Sequence, residues 1–160
     1  MSEIRLKLQE RFPNAVTETH AHHGDETAYV NVTNLLEVAK FLKQDPAFDM
    51  NVLMDLTAVD GLWQDWSPRF EVVYHFYSLK HNHRLRIKVR VSESDPIVAS
   101  LTGLWPIADW FEREAWDMFG ISFVGHPNLK RILMYEEFVG HPLRKDYPID
   151  KRQPLMGPKN

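Results

Sequence analysis

Residues 84–91 read Arg-Leu-Arg-Ile-Lys-Val-Arg-Val, an unbroken alternation of cations with apolar side chains. Successive side chains of a β-strand point to opposite faces, so this period of two describes a strand with one apolar side and one basic side. A chain built around such a strand must cover one face of its sheet and leave the other to water or a partner. The basic face (Arg84, Arg86, Lys88 and Arg90) reads as the solvated outside of a half-exposed sheet, with Glu71 as a cross-strand partner. Nucleic acid is disfavoured, because the stripe is one strand wide and the net charge is −3.

Other elements follow from local signals. Glu3 to Phe12 reads as a short amphipathic helix with Ser2 as its N-cap, closed by Pro13-Asn14. Ala15–Thr19 and Thr27–Val32 read as strands, and Thr33 or Asn34 as the cap of a helix with Leu35, Leu36, Ala39 and Leu42 inward. Asn51–Val59 and Arg69–Leu79 read as strands, the second joined to the 84–91 strand by a tight hairpin. Asp95-Pro96 has the form of a cap followed by proline at the first helical turn, which predicts a short helix to about Thr102. Pro106 opens the best helix, with Ile107, Trp110, Phe111, Ala115 and Met118 at helical spacing, an Asp109–Arg113 pair four apart, and Gly120 as a left-handed cap. After Gly120 only Arg131–Tyr135 looks strand-like. The expectation is a single α+β domain, a mixed or antiparallel sheet packed by helices, with a core at 1–122 and an extended C-terminal docking arm at 123–160.

Composition narrows the chemistry. The 160 residues are 44% hydrophobic and 26% charged, the balance of an ordinary globular domain. There is no cysteine, which excludes disulfides, thiolate zinc, cysteine-held iron–sulfur clusters and a thiol nucleophile. No apolar run approaches the roughly 20 residues that span a bilayer, and the N-terminus does not read as a signal peptide. The expectation is a cytoplasmic chain that meets a membrane only through partners. The eight histidines fall in turns and loops without metal-ligand spacing, so no metal site is expected.

Glu112, Arg113, Glu114 and Asp117 crowd the strongest helix. Glu114 is expected near the apolar face, where a carboxylate must be paired or protonated. Arg131 and Arg144 are its expected partners in a buried ion pair. A free-standing enzyme using Glu112, Glu114 and the histidines would need a nucleophile, oxyanion loop or phosphate cradle, and none accompanies them. The segment HPNLKRILMYEEFVGHPLRKDYP carries more apolar anchors than a disordered arm needs, so it reads as docking onto a surface, its own domain's or another's.

The run FEREAWDMFGISFVGHPNLKRILM, followed by GHPLRKDYP, resembles the signature of the 30 kDa-type (C) subunit family of proton-pumping NADH:quinone oxidoreductase, respiratory complex I. LTAVDG, RFEVVYHFYSL and HRLRIKV fit it too, so the resemblance runs from about Val52 to Pro148. It implies a cofactor-free scaffold of the peripheral arm, on the cytoplasmic side of a bacterial inner membrane. Its partners would be the large D subunit, which carries the quinone site, and neighbouring cluster-bearing subunits. NADH, FMN, iron–sulfur clusters and quinone would belong to the assembly, which moves electrons from NADH to quinone and translocates protons. The signature positions, read as partner-facing, are Glu112, Arg113, Glu114, Asp117, Phe119, Gly120, His126, Arg131, His141, Arg144, Lys145, Asp146 and Tyr147. No catalytic or cofactor-binding residue is expected. Many relatives continue past this segment along the quinone-site subunit or are fused to it, whereas this sequence ends at Asn160, so a chain not fused to that subunit is expected. The same domain occurs in membrane-bound nickel–iron hydrogenases and formate hydrogenlyase-type complexes, which is the alternative reading.

Overall fold

The computed structural model describes residues 3–154. Five strands, β1 (Val16–His20), β2 (Thr27–Val30), β3 (Val52–Asp60), β4 (Phe70–Ser78) and β5 (His83–Val91), form one sheet in the order β1-β2-β5-β4-β3. The β2–β5 pair is parallel and the other three pairs are antiparallel, so the sheet is mixed. The alternating segment lies in β5, inside the sheet. Leu85, Ile87, Val89 and Val91 are all buried. They share one core with Leu8 of α1 (Ile4–Arg11), Leu35, Val38, Ala39 and Leu42 of α2 (Leu35–Gln44), and Ala108, Ala115 and Met118 of α3 (Ala108–Phe119).

The basic side of β5 meets acids, as expected. Lys88 reaches Glu71 at 2.9 Å, Arg90 lies 3.7 Å from Glu71 and 3.4 Å from Glu18, and Arg86 lies 3.2 Å from Asp25. The exposed Arg90–Glu18 and Arg86–Asp25 pairs add little stability, whereas Glu71 is buried beneath Lys88 and needs its cation; together they leave the outer face close to charge-balanced.

Several expectations change. The helix expected after Asp95-Pro96 is instead strand β6 (Ile97–Ala99), parallel to β7 (Ser122–Val124), with Val98 opposite Phe123. The β-branched pair Ile97-Val98 finds a neighbouring strand, and that tertiary pairing overrides the local cap signal. Arg131–Tyr135 forms turns and bends, not a strand. Around α2, the Thr33 hydroxyl donates to the Asn34 side chain at 3.2 Å, neither side chain caps the helix, and a 3-10 turn at Val32–Asn34 leads in. Leu36 is exposed and Val38 takes its inward place. The Ser2 cap lies outside the described residues.

The inward face of α3 is rotated from the expected one. Ala115 and Met118 are buried as expected, but Ile107 and Trp110 are exposed and Ala108, Glu112 and Phe119 take inward places. Both faces of this helix carry large apolar groups, so periodicity alone does not choose between them. The Arg113 guanidinium lies over the Trp110 ring at 5.2 Å, which gives the indole an outside partner.

Ile87 is wholly buried at the centre of the sheet. Truncating it leaves a cavity among elements that cannot all relax, so Ile87→Ala is expected to cost about 2–5 kcal/mol. Urea unfolding should show a lower midpoint with an unchanged slope.

Candidate functional site

The segment after β7 contains turns and bends, yet it is fastened along much of its length. One fastening is Asp117 on α3, whose side chain is fully buried. Its Oδ2 accepts the backbone N–H groups of Ile132, Leu133 and Met134 at 3.0, 2.9 and 2.9 Å. Its Oδ1 takes Arg131 Nη1 at 2.5 Å. Burial alone would push this carboxyl up, but the Met134 amide, Arg131 and the Ile132 and Leu133 amides together hold it below its ordinary value. These donors explain why 131–135 is not a strand: three amides that a sheet would use converge on one carboxylate instead.

Arg131 continues the fastening, donating to the carbonyls of Phe138 at 2.8 Å and Gly140 at 3.1 Å. The expected buried ion pair therefore exists, but with Asp117 in place of Glu114, which is exposed and forms no ion pair among the described residues with either arginine. Arg144 donates instead to the Phe119 carbonyl at 2.6 Å. The His141 ring meets the Asp117 carbonyl at 3.0 Å. Both side chains crowd Gly120, which holds φ +76° as the helix cap, and a Cβ there would come within 2.6 Å of His141 and 2.7 Å of Arg144. Glycine is thus required twice, by conformation and by space.

A second fastening joins the arm to the sheet. Asp60 ends β3 on the buried side, and Arg69 meets it through two bonds at 2.9 and 2.7 Å. Arg69 also reaches Asp146 at 2.8 and 3.1 Å and Glu93 at 2.5 Å. Asp60 Oδ2 further accepts the Lys145 amide at 2.8 Å, so both Lys145 and Asp146 are pinned to the hairpin. Burial alone would push the Asp60 carboxyl up, but Arg69 and the amides of Lys145 and Leu62 hold it down to about 2. The Arg69 side-chain hydrogen bond likewise lowers Asp146.

The remaining signature positions are distributed around these anchors. Arg113 donates to the carbonyls of Lys130 and Arg131, both at 3.1 Å, and not to Asp109. Asp109 faces His126 instead, at 3.4 Å, and the His126 side chain is fully buried. Tyr147 stacks on Phe138 at 6.0 Å and packs against Gly140. Glu112 is wholly buried and lies apart from the arm's fastenings. Asp60, Arg69 and Glu93 were not singled out by sequence reasoning. A signal existed for Asp60: the alternation Leu56, Ala58, Asp60 puts a carboxylate in an apolar register, which calls for a buried partner. Among the described residues no group of three or more His, Cys, Asp or Glu side chains is arranged to hold a metal, and no helix is long and apolar enough to cross a membrane.

Comparison with known proteins identifies this arrangement. Residues 28–153 match the family model described as respiratory-chain NADH dehydrogenase, 30 kDa subunit. The chain belongs to that family. It is 51% identical over 154 residues to the NADH-quinone oxidoreductase C subunit of Citrifermentans bemidjiense, covering 95% of this chain and 93% of the relative. It is 48% identical to the corresponding NADH-quinone oxidoreductase C subunit of a Roseiflexus species (strain RS-1), covering 89% of this chain and 81% of the relative. Among solved structures, "Nqo5 of the trypsin-resistant fragment (1-134) in P63 form" superimposes with a TM-score of 0.70 at 30% identity, over 81% of this chain and 100% of that one. A chain of the membrane-bound sulfane sulfur reductase, an archaeal respiratory membrane complex, shares the fold with a TM-score of 0.70 at 22% identity, over 92% of this chain and 85% of that one. The signature segments of this 30 kDa family member are thus rich in residues that bind its arm to its own core.

Asp117→Ala removes the acceptor of three amides and leaves Arg131 without its carboxylate. Breaking a buried pair in this way is expected to cost about 3–5 kcal/mol. Limited proteolysis should then cut within 130–140 at protease levels that spare the wild type. The Asp60 contact has its own pH signature. Its carboxyl is held near 2 against an ordinary 3.8, so the stability it supplies is complete above about pH 4 and is lost as pH falls through about 2. Acid titration of Asp60→Asn should lack that component of the slope while starting from a lower stability at neutral pH.

Proposed function

We propose that this chain works as a cofactor-free scaffold subunit of NADH:quinone oxidoreductase and docks through α3 and the C-terminal arm onto the large subunit that carries the quinone site. The oxidoreductase membership rests on the family and on NADH-quinone oxidoreductase relatives of 44–51% identity. Their names are those of the quinone enzyme, so the hydrogenase reading is not favoured. With no cysteine, the chain offers no thiolate for an iron–sulfur cluster, and NADH, FMN, clusters and quinone belong to other subunits of the assembly.

The observation that carries the docking role is the asymmetry of the arm. Its inner side is tied down by Asp117, Arg131, Arg144, Lys145 and Asp146. Its outer side leaves Leu133, Val139, Leu143 and Ile149 exposed, and Trp110 of α3 is 57% exposed as well. Apolar anchors on a backbone that is already ordered suit a protein partner, because little conformational entropy is left to lose on binding. In this reading the chain sits peripherally on the cytoplasmic side of the inner membrane and touches the membrane only through its neighbours. The domain division follows the same logic, with its boundary moved by β7: Phe123 packs in the core, so the core extends through Val124 and the segment after β7 supplies the docking arm.

The test is affinity purification of tagged wild type and of a Leu133→Glu/Val139→Glu double variant from native membranes in mild detergent. Both side chains are exposed, so the variant should fold with near-wild-type stability. It should nevertheless recover several-fold less of the quinone-site subunit, and NADH:quinone activity should fall in proportion to assembled complex. Full assembly with lost turnover would overturn the scaffold role. Full assembly with full turnover would move the docking surface elsewhere on the chain.

A further inference from the structure

Glu112 is a buried signature acid that takes no part in the arm's fastenings. Its side chain is wholly buried on the inner face of α3. Its Oε1 accepts the Leu101 backbone N–H at 2.6 Å, while its Oε2 is buried with no hydrogen-bond partner. Across the core on β4, the Tyr74 hydroxyl is also buried and also without a partner. Burial pushes the Tyr74 hydroxyl well above its ordinary value, and a charge on Glu112 would push it the same way.

The surroundings on each packed element are few. The connection between β6 and α3 brings the Leu101 amide and Ser100, whose hydroxyl bonds Thr102 at 2.8 Å. On α3 itself Asp109 adds a negative charge one turn away. The turn after β7 brings His126, which spends its Nε2 on Asp109. No lysine or arginine forms an ion pair with Glu112 among the described residues. Asp117, further along the same helix, accepts four short donor contacts and stays charged. Glu112 accepts one.

We propose that Glu112, wholly buried with one oxygen unpartnered, is carried as the neutral acid in the folded chain on the face of α3 that meets the sheet, and that its ionisation loosens that seat as pH rises. Burial pushes the Glu112 carboxyl up, and the opposing contacts with Ser100, the Leu101 amide and His126 do not offset it. The folded chain then binds this proton more tightly than the unfolded chain does. Stability is accordingly greatest in the ordinary glutamate range and falls as pH rises through the raised value. Because α3 also carries Asp117 and meets the arm at Gly120, a loosened seat would reach the arm.

The experiment compares the full wild-type chain with Glu112→Gln. The amide keeps the shape and an acceptor for Leu101, and it cannot ionise. Thermal unfolding between about pH 5 and about pH 8 should show Glu112→Gln at least as stable as wild type at the alkaline end, with its relative advantage shrinking as pH falls. The infrared spectrum of the wild type, followed upward from about pH 5, should contain the C=O stretch of a buried carboxylic acid that fades as pH rises and is absent from Glu112→Gln. A spectrum without that band, or a variant less stable by one constant margin at every pH, would overturn the proposal. Should the variant fail to fold, the wild-type band alone decides.

Discussion

The arm has its position because a single carboxylate accepts more donors than a strand neighbour could give it at that point. Residues 132–134 turn sharply over the end of α3, and their three amides would be unsatisfied there without an acceptor. Asp117 Oδ2 takes all three and Oδ1 takes Arg131, whose second nitrogen then gathers the carbonyls of Phe138 and Gly140. A charge buried in this way is stabilised because four donors, one of them a guanidinium, replace the water it loses. Gly120, His141 and Arg144 depend on the same arrangement, since they fill the space just past the helix end that Asp117 helps to define.

Glu112 and Asp117 show how environment, and not residue type, decides the state of an acid. Both are fully buried and five residues apart on one helix. Asp117 meets three amides and a guanidinium, and its carboxyl is lowered; Glu112 meets one amide, and its carboxyl is raised. The helix thus carries a charged anchor where the arm crosses it and an uncharged one where it meets the sheet. That division suits a scaffold, because the outer contact needs strength and direction, while the inner one needs compatibility with an apolar core.

How much of this was readable in the sequence depends on where the information is local. The two faces of β5 were legible because period two leaves no alternative assignment, and Gly120 was legible because a helix end needs a residue that tolerates positive φ. Only part of the face of α3 was, since Ala115 and Met118 are inside as expected while Ile107 and Trp110 compete with Ala108 and Phe119, and that choice is made by strands distant in sequence. β6 was missed for the same reason: its partner β7 lies beyond α3. The signature acids were recognised as a group, but the donors that separate Asp117 from Glu112 and Glu114 come from residues 14 to 17 positions away and from the β6–α3 connection. Asp60 and Arg69 were hidden because Asp146, which completes their network, is 77 residues from Arg69.

The two fastenings also give the segment after β7 a fixed shape. The Asp117 cluster holds the middle of the arm and the Asp60–Arg69–Asp146 network holds its far part, with Leu143 bonded by its amide to the Met118 carbonyl between them. A segment held at both ends over a short span cannot reorient freely, so its outward side chains keep fixed spacing. Association with a partner then orders few additional torsions, and the affinity of a modest apolar surface is not eroded by that cost. Removing either fastening would leave Leu133, Val139 and Leu143 in the sequence but not in register, so in the proposed docking role the fastening residues act on assembly by holding that register.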